Sequence, residues 1–209
     1  GGFYKKLQGL TLKNVRLSAE YGEKTIFSQL GEMLFTHFGI SGPLVLSLSS
    51  LINRFDLKNL KLHIDLKPAL DIEALDRRIL RDFSQAANKN IYNCLKELLP
   101  VSLIEIILER AKIPADKKVN VITRAERAAL LTSIKNFDMI VLSLRGFEEA
   151  IITSGGVNVN QINPATMESK LVKGLYFCGE VLDVDAFTGG FNLQIAFATG
   201  FAGGNSIKD

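Results

Sequence analysis

Apolar and polar residues alternate along the first third of the chain. In "LTLKNVRLSAEYGEKTIF", Leu10 and Leu12 share one alternation, while Val15, Leu17 and Ala19 share the other. A phase change of one residue predicts a strand with a bulge or bend. Tyr21-Gly22-Glu23-Lys24 then reads as a hairpin turn. Further on, "LKLHIDL" places Leu60, Leu62, Ile64 and Leu66 on one face and Lys61, His63 and Asp65 on the other, a half-buried strand. Between these stretches, Ser41-Gly42-Pro43 resembles a helix start, with a serine cap and a proline whose missing N–H costs nothing in the first turn. Leu44 to Ile52 would follow as a short apolar helix.

From Asp71 to about Ile134 the period becomes helical. Ile72, Leu75, Ile79 and Phe83 follow an Asp71 cap, Pro100 opens "VSLIEIILERAKI", and Pro114 ends that stretch. Thr123-Arg124-Ala125-Glu126 matches a capping box at the head of "AERAALLTSI". Strands are expected to return in "FDMIVLSL" and "EEAIITSGG", pairing with the earlier β region across the helical insert. The closing part predicts a buried strand, "GLYFCGE", and a buried helix, "GGFNLQIAFATGFAGG". "LYFCG" is apolar on both faces, as in the centre of a parallel sheet.

Composition narrows the function. A chain of 209 residues with 47% hydrophobic and 22% charged residues can bury a core of one or two domains. A net charge of +3, carried by dispersed lysines and arginines, gives no basis for nucleic acid or an anionic membrane as partner. Cys94 and Cys178 are far apart and form no CxxC pair, so free thiols in a reducing, cytoplasmic setting are expected, with Cys178 buried. No apolar run approaches the roughly 18 residues of a membrane span, and no signal peptide opens the chain. The initial Gly-Gly, without methionine, is expected of a chain trimmed from a tag or taken from something longer.

The candidate chemistry gathers near the C-terminus. Gly179 and Glu180 follow the expected strand, where open α/β sheets bind ligands. Glu180 is there either to accept hydrogen bonds from ligand hydroxyls or as a surface carboxylate. Thr188-Gly189-Gly190 leads into a helix whose first N–H groups lack partners and favour negative charge. The glycines leave room for a flat ring. Gly174 to Ile207 contains Glu180, Asp183 and Asp185 and no basic residue, which suits a hydroxyl-rich or carbonyl-bearing ligand better than a bare phosphate. Asp183 and Asp185 lack the further ligands a metal needs, and no metal is expected. His37, in "LFTHFGISG", is a catalytic candidate that could relay a proton or simply be hydrogen-bonded structure.

The segment "INPATMESKLVKGLYFCGEVLDVDAFTGGFNLQIAFATGFAGG" resembles the C-terminal flavin-binding segment of the aminoacetone oxidase-like (BaiN/YhiN-type) flavoproteins, and "GEMLFTHFGISGPLVLSLS" is similar to their internal signature. The resemblance spans essentially the whole chain. It implies a FAD-dependent oxidoreductase about twice as long, whose missing N-terminal half carries the Rossmann GxGxxG that is absent here. Gly179-Glu180 would lie by the ribityl arm or pyrophosphate. Thr188, Gly189, Gly190, Phe191, Asn192 and Leu193 would face the pyrimidine edge of the isoalloxazine, with backbone N–H groups of about Asn192 and Leu193 stabilising charge on the reduced ring. Ala186-Phe187 departs from the smaller pair usual in relatives, and Phe187 either closes over the ring or, as we favour, packs in the core.

The implied fold is α+β. A β-rich insertion domain (1–66 and 136–157) is interrupted by a helical subdomain (67–135) and followed by the C-terminal strand-loop-helix of a Rossmann-like FAD-binding domain (158–209). The insertion region would roof the pocket of a small organic substrate, with oxygen or NAD(P)H as the flavin's other partner. Neither the substrate nor the choice between oxidase and reductase follows from these residues. The isolated chain is expected to be inactive and to hold FAD weakly or not at all. The competing reading is a non-enzymatic protein-binding module that docks through the helical insert, and an excised fragment with no function of its own is a third.

Overall fold

The computed structural model describes residues 2–207, which mix α-helices with an antiparallel sheet. The elements begin with α1 (Phe3–Lys6), β1 (Thr11–Tyr21), β2 (Lys24–Phe35), β3 (Ile40–Ser41), α2 (Pro43–Ile52) and β4 (Leu60–Asp65). They continue with α3 (Ile72–Gln85), α4 (Ile91–Cys94), α5 (Val101–Ala111), α6 (Arg124–Lys135), β5 (Phe137–Ile140) and α7 (Phe191–Ser206). The residues divide into two compact units, Gly1–Val45 with Phe55–Leu142, and Leu46–Arg54 with Ser143–Asp209.

The first unit is built on the sheet β3-β2-β1-β4-β5. The phase change in β1 is a bulge. Its register against β2 shifts between Leu12 and Val15, Asn14 takes a φ of 55°, and Leu12, Val15, Leu17 and Ala19 are all buried. The extra residue lets both alternations face one core. The hairpin turns at Gly22 and Glu23. Across β1, Leu60, Leu62 and Ile64 of β4 are buried, and β5 pairs antiparallel with β4 as expected of strands that close around the helical insert. His63 lies on the opposite face, with Nε2 3.3 Å from a Glu20 carboxylate oxygen.

Local signals set the helices. Asp71 accepts from the Ala74 amide at 2.7 Å and starts α3, and Pro100 precedes α5. Helix α5 buries Leu103, Ile104, Ile107 and Leu108. The end of α6 is tied to the sheet by Lys135 Nζ, which donates to the Asp65 carboxylate at 2.6 Å and to the carbonyls of Leu70 (2.6 Å) and Lys67 (3.1 Å). Helix α2 begins at Pro43, but Ser41 belongs to β3, paired with Leu34, so the serine is part of the sheet and Gly42 stands between it and the helix.

The second unit departs from expectation. "EEAIITSGG" contributes only Glu148 and Glu149 to a short 3-10 turn, Phe147–Glu149, and forms no strand, because none of its backbone finds a ladder partner among the described residues. Only Phe137–Ile140 of "FDMIVLSL" is strand. Leu175 to Cys178 makes a single antiparallel bridge, Glu168 to Tyr176, in place of a central parallel strand, and Cys178 is exposed. A strand needs neighbours on its edges, and the described residues supply one bridge on one side. Helix α7 forms as expected but is not buried. Gly203 alone is fully covered, while Phe197 and Phe201 are 71% and 76% exposed. The unit's small core is Ile162, Met167 and Leu182, packed by Val157, Phe177 and Ala202. Gly156 is indispensable to it, since a Cβ there would stand 2.4 Å from the Val181 carbonyl oxygen.

The capping box of α6 is complete, with the Thr123 hydroxyl accepting from the Glu126 amide and the Glu126 carboxylate accepting from the Thr123 amide. Lys117 Nζ also donates to Glu126 at 2.6 Å. These bonds, Lys117 first, lower the Glu126 pKa from 4.5 to about 2. A depressed carboxylate stabilises the fold above its unfolded pKa, and that contribution is lost as pH falls from 4.5 through about 2. Denaturant unfolding at stepped acid pH should therefore show Glu126→Gln less stable than wild type near neutrality, the gap closing as pH drops through that window. A constant gap would remove Glu126 from the acid response.

Candidate functional site

The second unit contains a cavity of about 690 Å³ beside the N-terminus of α7. Its apolar lining includes Leu51, Phe187, Phe191 and Ile195, and its charged lining residues are Arg54 and Asp185. Gly190, with a φ of 87°, precedes α7, and no side chain caps the helix there. The first intrahelical bond from this end runs from the Gln194 amide to the Gly190 carbonyl. The preceding amides, of Phe191, Asn192 and Leu193, are the donors that any α-helix leaves without an intrahelical partner. A Cβ on Gly190 would meet nothing within 4 Å, so the approach to these amides is open.

Two side chains of α7 hold the adjoining loops. The Asn192 carboxamide accepts from the Ala186 amide at 2.8 Å and donates to the Ala186 carbonyl at 2.9 Å. One planar group thus satisfies both backbone polar groups of a loop residue. Thr199 Oγ1 accepts from the Gly179 amide at 2.9 Å and itself lies 2.7 Å from the Ile195 carbonyl. Gly179, with a φ of 75°, rests against Ala196. The Gly179-Glu180 turn and the 186–190 loop are therefore both anchored to one helix.

Of the residues singled out in the sequence, Gly179, Glu180, Thr188, Gly189, Gly190, Phe191, Asn192 and Leu193 all lie in this unit. Glu180 is exposed, and Phe191 lines the cavity. Phe187 is not core, as was favoured, but 39% exposed at the cavity wall, because the Asn192 clamp turns its loop along the helix end. His37 belongs to the first unit, is exposed, and makes an edge contact with Phe38. Sequence reasoning missed Thr199, although a lone threonine in "AFATG" was a visible signal. It also missed Arg54, whose guanidinium donates to Ser154 Oγ at 3.4 Å across 100 residues, and Ser154 itself, 3.5 Å from an Asp185 carboxylate oxygen. Asp183 Oδ1 is buried with no hydrogen-bond partner, an acceptor that a ligand hydroxyl would satisfy.

Residues 2–152 match the model of a family described as "HI0933-like protein barrel and H2TH domain". The chain belongs to this family. The match covers the sheet, the helical insert and the Ser50 to Arg54 part of the cavity lining, and ends before the lining residues 185–195, to which the individual relatives extend. The chain is 34% identical over 206 residues to the ribosomal RNA dihydrouridine synthase of Haemophilus influenzae, covering 99% of this chain and 48% of that protein. To the ribosomal RNA dihydrouridine synthase of Escherichia coli it is 32% identical over 196 residues, 94% of this chain and 46% of the relative. To the 3-dehydro-bile acid delta(4,6)-reductase of Clostridium scindens it is 28% identical over 198 residues, 94% of this chain and 48% of the relative. This HI0933-like chain thus spans about half the length of the curated relatives it matches.

The Asn192 clamp can be tested directly. Asn192→Ala removes both bonds and should cost about 1–2 kcal/mol in unfolding free energy. Asn192→Asp keeps the acceptor for the Ala186 amide but sets a carboxylate against the Ala186 carbonyl. Amide hydrogen exchange at Ala186 should accelerate strongly in the alanine variant and much less in the aspartate variant. Equal exchange in wild type and Asn192→Ala would mean the loop is held by something else.

Proposed function

We propose that this chain is the C-terminal portion of a FAD-dependent oxidoreductase that saturates a carbon–carbon double bond conjugated to a carbonyl. The observation that carries this reading is the uncapped, glycine-flanked N-terminus of α7 opening beside an aromatic-lined cavity. When bound, FAD supplies the hydride from its reduced ring. The residues present fit its ring side. The amides of Phe191, Asn192 and Leu193 would stabilise negative charge at the pyrimidine edge. Gly189 and Gly190 leave space for a flat system, and Gly179, Glu180 and the orphaned Asp183 oxygen suit a polyhydroxylated arm. The pyrophosphate would be held elsewhere, in the Rossmann half that the longer relatives have room for. The exposed apolar side of α7 is the surface such a half would cover, since a helix apolar all round is stable only when buried.

Reduction is preferred over amine oxidation because of the relatives' names. A delta(4,6)-reductase of a 3-dehydro steroid and a synthase of dihydrouridine both saturate a double bond conjugated to a carbonyl. Uridine in ribosomal RNA is the first substrate to test, since two relatives above 30% identity are named for it. The modest net charge of +3 argues against tight binding to nucleic acid by charge alone, and a small conjugated ketone is the other candidate. NAD(P)H is the proposed reductant. Among the described residues no helix is long and apolar enough to cross a membrane, and the free thiols Cys94 and Cys178 suit the reducing cytoplasm.

The test compares two preparations. The 209-residue chain alone should elute from gel filtration without flavin, and a yellow chain that keeps FAD would overturn the division of the site. The longer protein, carrying a GxGxxG unit ahead of this sequence, should oxidise NAD(P)H and add two hydrogens to uridine in ribosomal RNA or to a conjugated ketone, followed by mass spectrometry. Amine oxidation with no reduction of either substrate would sink the reductive reading.

A further inference from the structure

Among the described residues, Arg54 is the one cation lining the 690 Å³ cavity, and it forms no ion pair there. Its guanidinium is steadied by a neutral group, Ser154 Oγ, at 3.4 Å. The Asp185 carboxylate reaches that same hydroxyl at 3.5 Å, so a serine stands in the chain between acid and base. The positive charge is thereby positioned without being cancelled by a direct carboxylate contact. Around it, Leu51, Phe187, Phe191 and Ile195 offer flat and branched apolar surface, while Asn53 and Gln194 add neutral polar groups. An arginine kept only for solubility would not need a tether spanning 100 residues into the wall of an aromatic cavity.

We propose that Arg54 binds the carbonyl oxygen of the substrate and stabilises the charge that develops there during reduction. The inference rests on the reductive reading above and adds the residue that recognises the substrate class. The step balances as follows. FAD, when bound, would supply the hydride that forms a C–H bond at the carbon β to the carbonyl. The electrons of the double bond move toward oxygen, giving an enolate, and a proton from solvent then completes the α carbon. The substrate would gain two electrons, which the reduced cofactor would give up. The enolate oxygen carries the charge, and a guanidinium holds an oxyanion more strongly than it holds a neutral carbonyl. Such a preference for the charged form over the ground state is what accelerates a reaction.

A planar oxyanion that needs no flavin probes the site directly. The 209-residue chain is titrated with para-nitrophenol at a pH below the phenol's own pKa, and nitrophenolate is followed by its visible absorbance. Wild type should bind the phenolate in preference to the phenol, lowering the apparent pKa of the bound probe. Arg54→Met should weaken phenolate binding by about tenfold or more. Arg54→Lys should retain part of the preference, and Arg54 is exposed enough that all three proteins should melt alike. No binding by wild type, or equal phenolate preference in Arg54→Met, overturns the assignment. In the FAD-loaded longer protein, Arg54→Met should lower kcat/KM for the conjugated carbonyl at least tenfold while leaving the rate of flavin reduction by NAD(P)H unchanged. A fully active Arg54→Met enzyme would reject Arg54 and leave the reductive reading standing. Phenolate binding lost with Arg54 in a chain whose parent reduces nothing would reject the reductive reading instead.

Discussion

Everything proposed for the cavity depends on the two hydrogen bonds between the Asn192 side chain and the backbone of Ala186. A loop that passes in front of a helix N-terminus has its own amides and carbonyls to satisfy, and the easiest partners are the free amides of the helix itself. Had the Ala186 carbonyl taken one of them, the helix end would be capped by protein and lost to any ligand. The carboxamide avoids this by supplying a donor and an acceptor from a side chain. It consumes no amide of the first turn. Thr199 repeats the device one coil further on, accepting from Gly179 while its own proton can go to a helix carbonyl. Both loops are thus tied to α7, and the donors that could act on a ligand are left over.

The first unit uses a different economy. Its sheet is anchored by long-range charges set at the ends of elements, where backbone groups are unsatisfied. Lys135 gathers a carboxylate and two carbonyls near the end of β4. Arg110 grips Asp138 at 2.5 Å while its guanidinium stacks 3.9 Å from the centre of the Phe137 ring. Each cation replaces water at several acceptors together, which isolated surface pairs do not. The result is a closed core with little apolar surface left over on β1 or β4, in contrast to α7.

That contrast explains which features were legible in the sequence. The bulge in β1, the Gly22 turn, the Asp71 cap and the Thr123–Glu126 box are all decided within a few residues, so a short window contains the whole cause. The apolar character of "LYFCG" and of α7 was equally plain, but apolarity records what a surface requires and not whether these 209 residues supply it. Burial was therefore misjudged at Cys178, Phe197 and Phe201, where the described residues offer no cover. Phe187 was misjudged for another reason. Its place at the cavity wall follows from a clamp by Asn192, a side chain that was considered only for its backbone amide. Arg54 was invisible because its partner lies 100 residues away and no periodicity links them.

Helix α7 reconciles demands that would conflict on a shorter element, because they are separated along its length. Its first turn carries the free amides and Asn192, its middle carries Thr199, and its last turns place Ala202 and Gly203 against the core around Met167. Small residues there let the helix approach closely, while Phe197 and Phe201 face outward. The cavity at its head then holds one acid and one base, bridged through a serine hydroxyl, in a wall of apolar and aromatic side chains interspersed with Ser50, Asn53 and Gln194. Arg54 is solvent-exposed and shares the cavity with Asp185, so its repulsion of a cationic amine is screened by water and offset by the carboxylate. A neutral conjugated carbonyl gains from Arg54 most when its oxygen becomes negative. The preference for a conjugated carbonyl over an amine therefore rests on the chemistry named for the relatives, and Arg54 is the cation we propose to act on its oxygen.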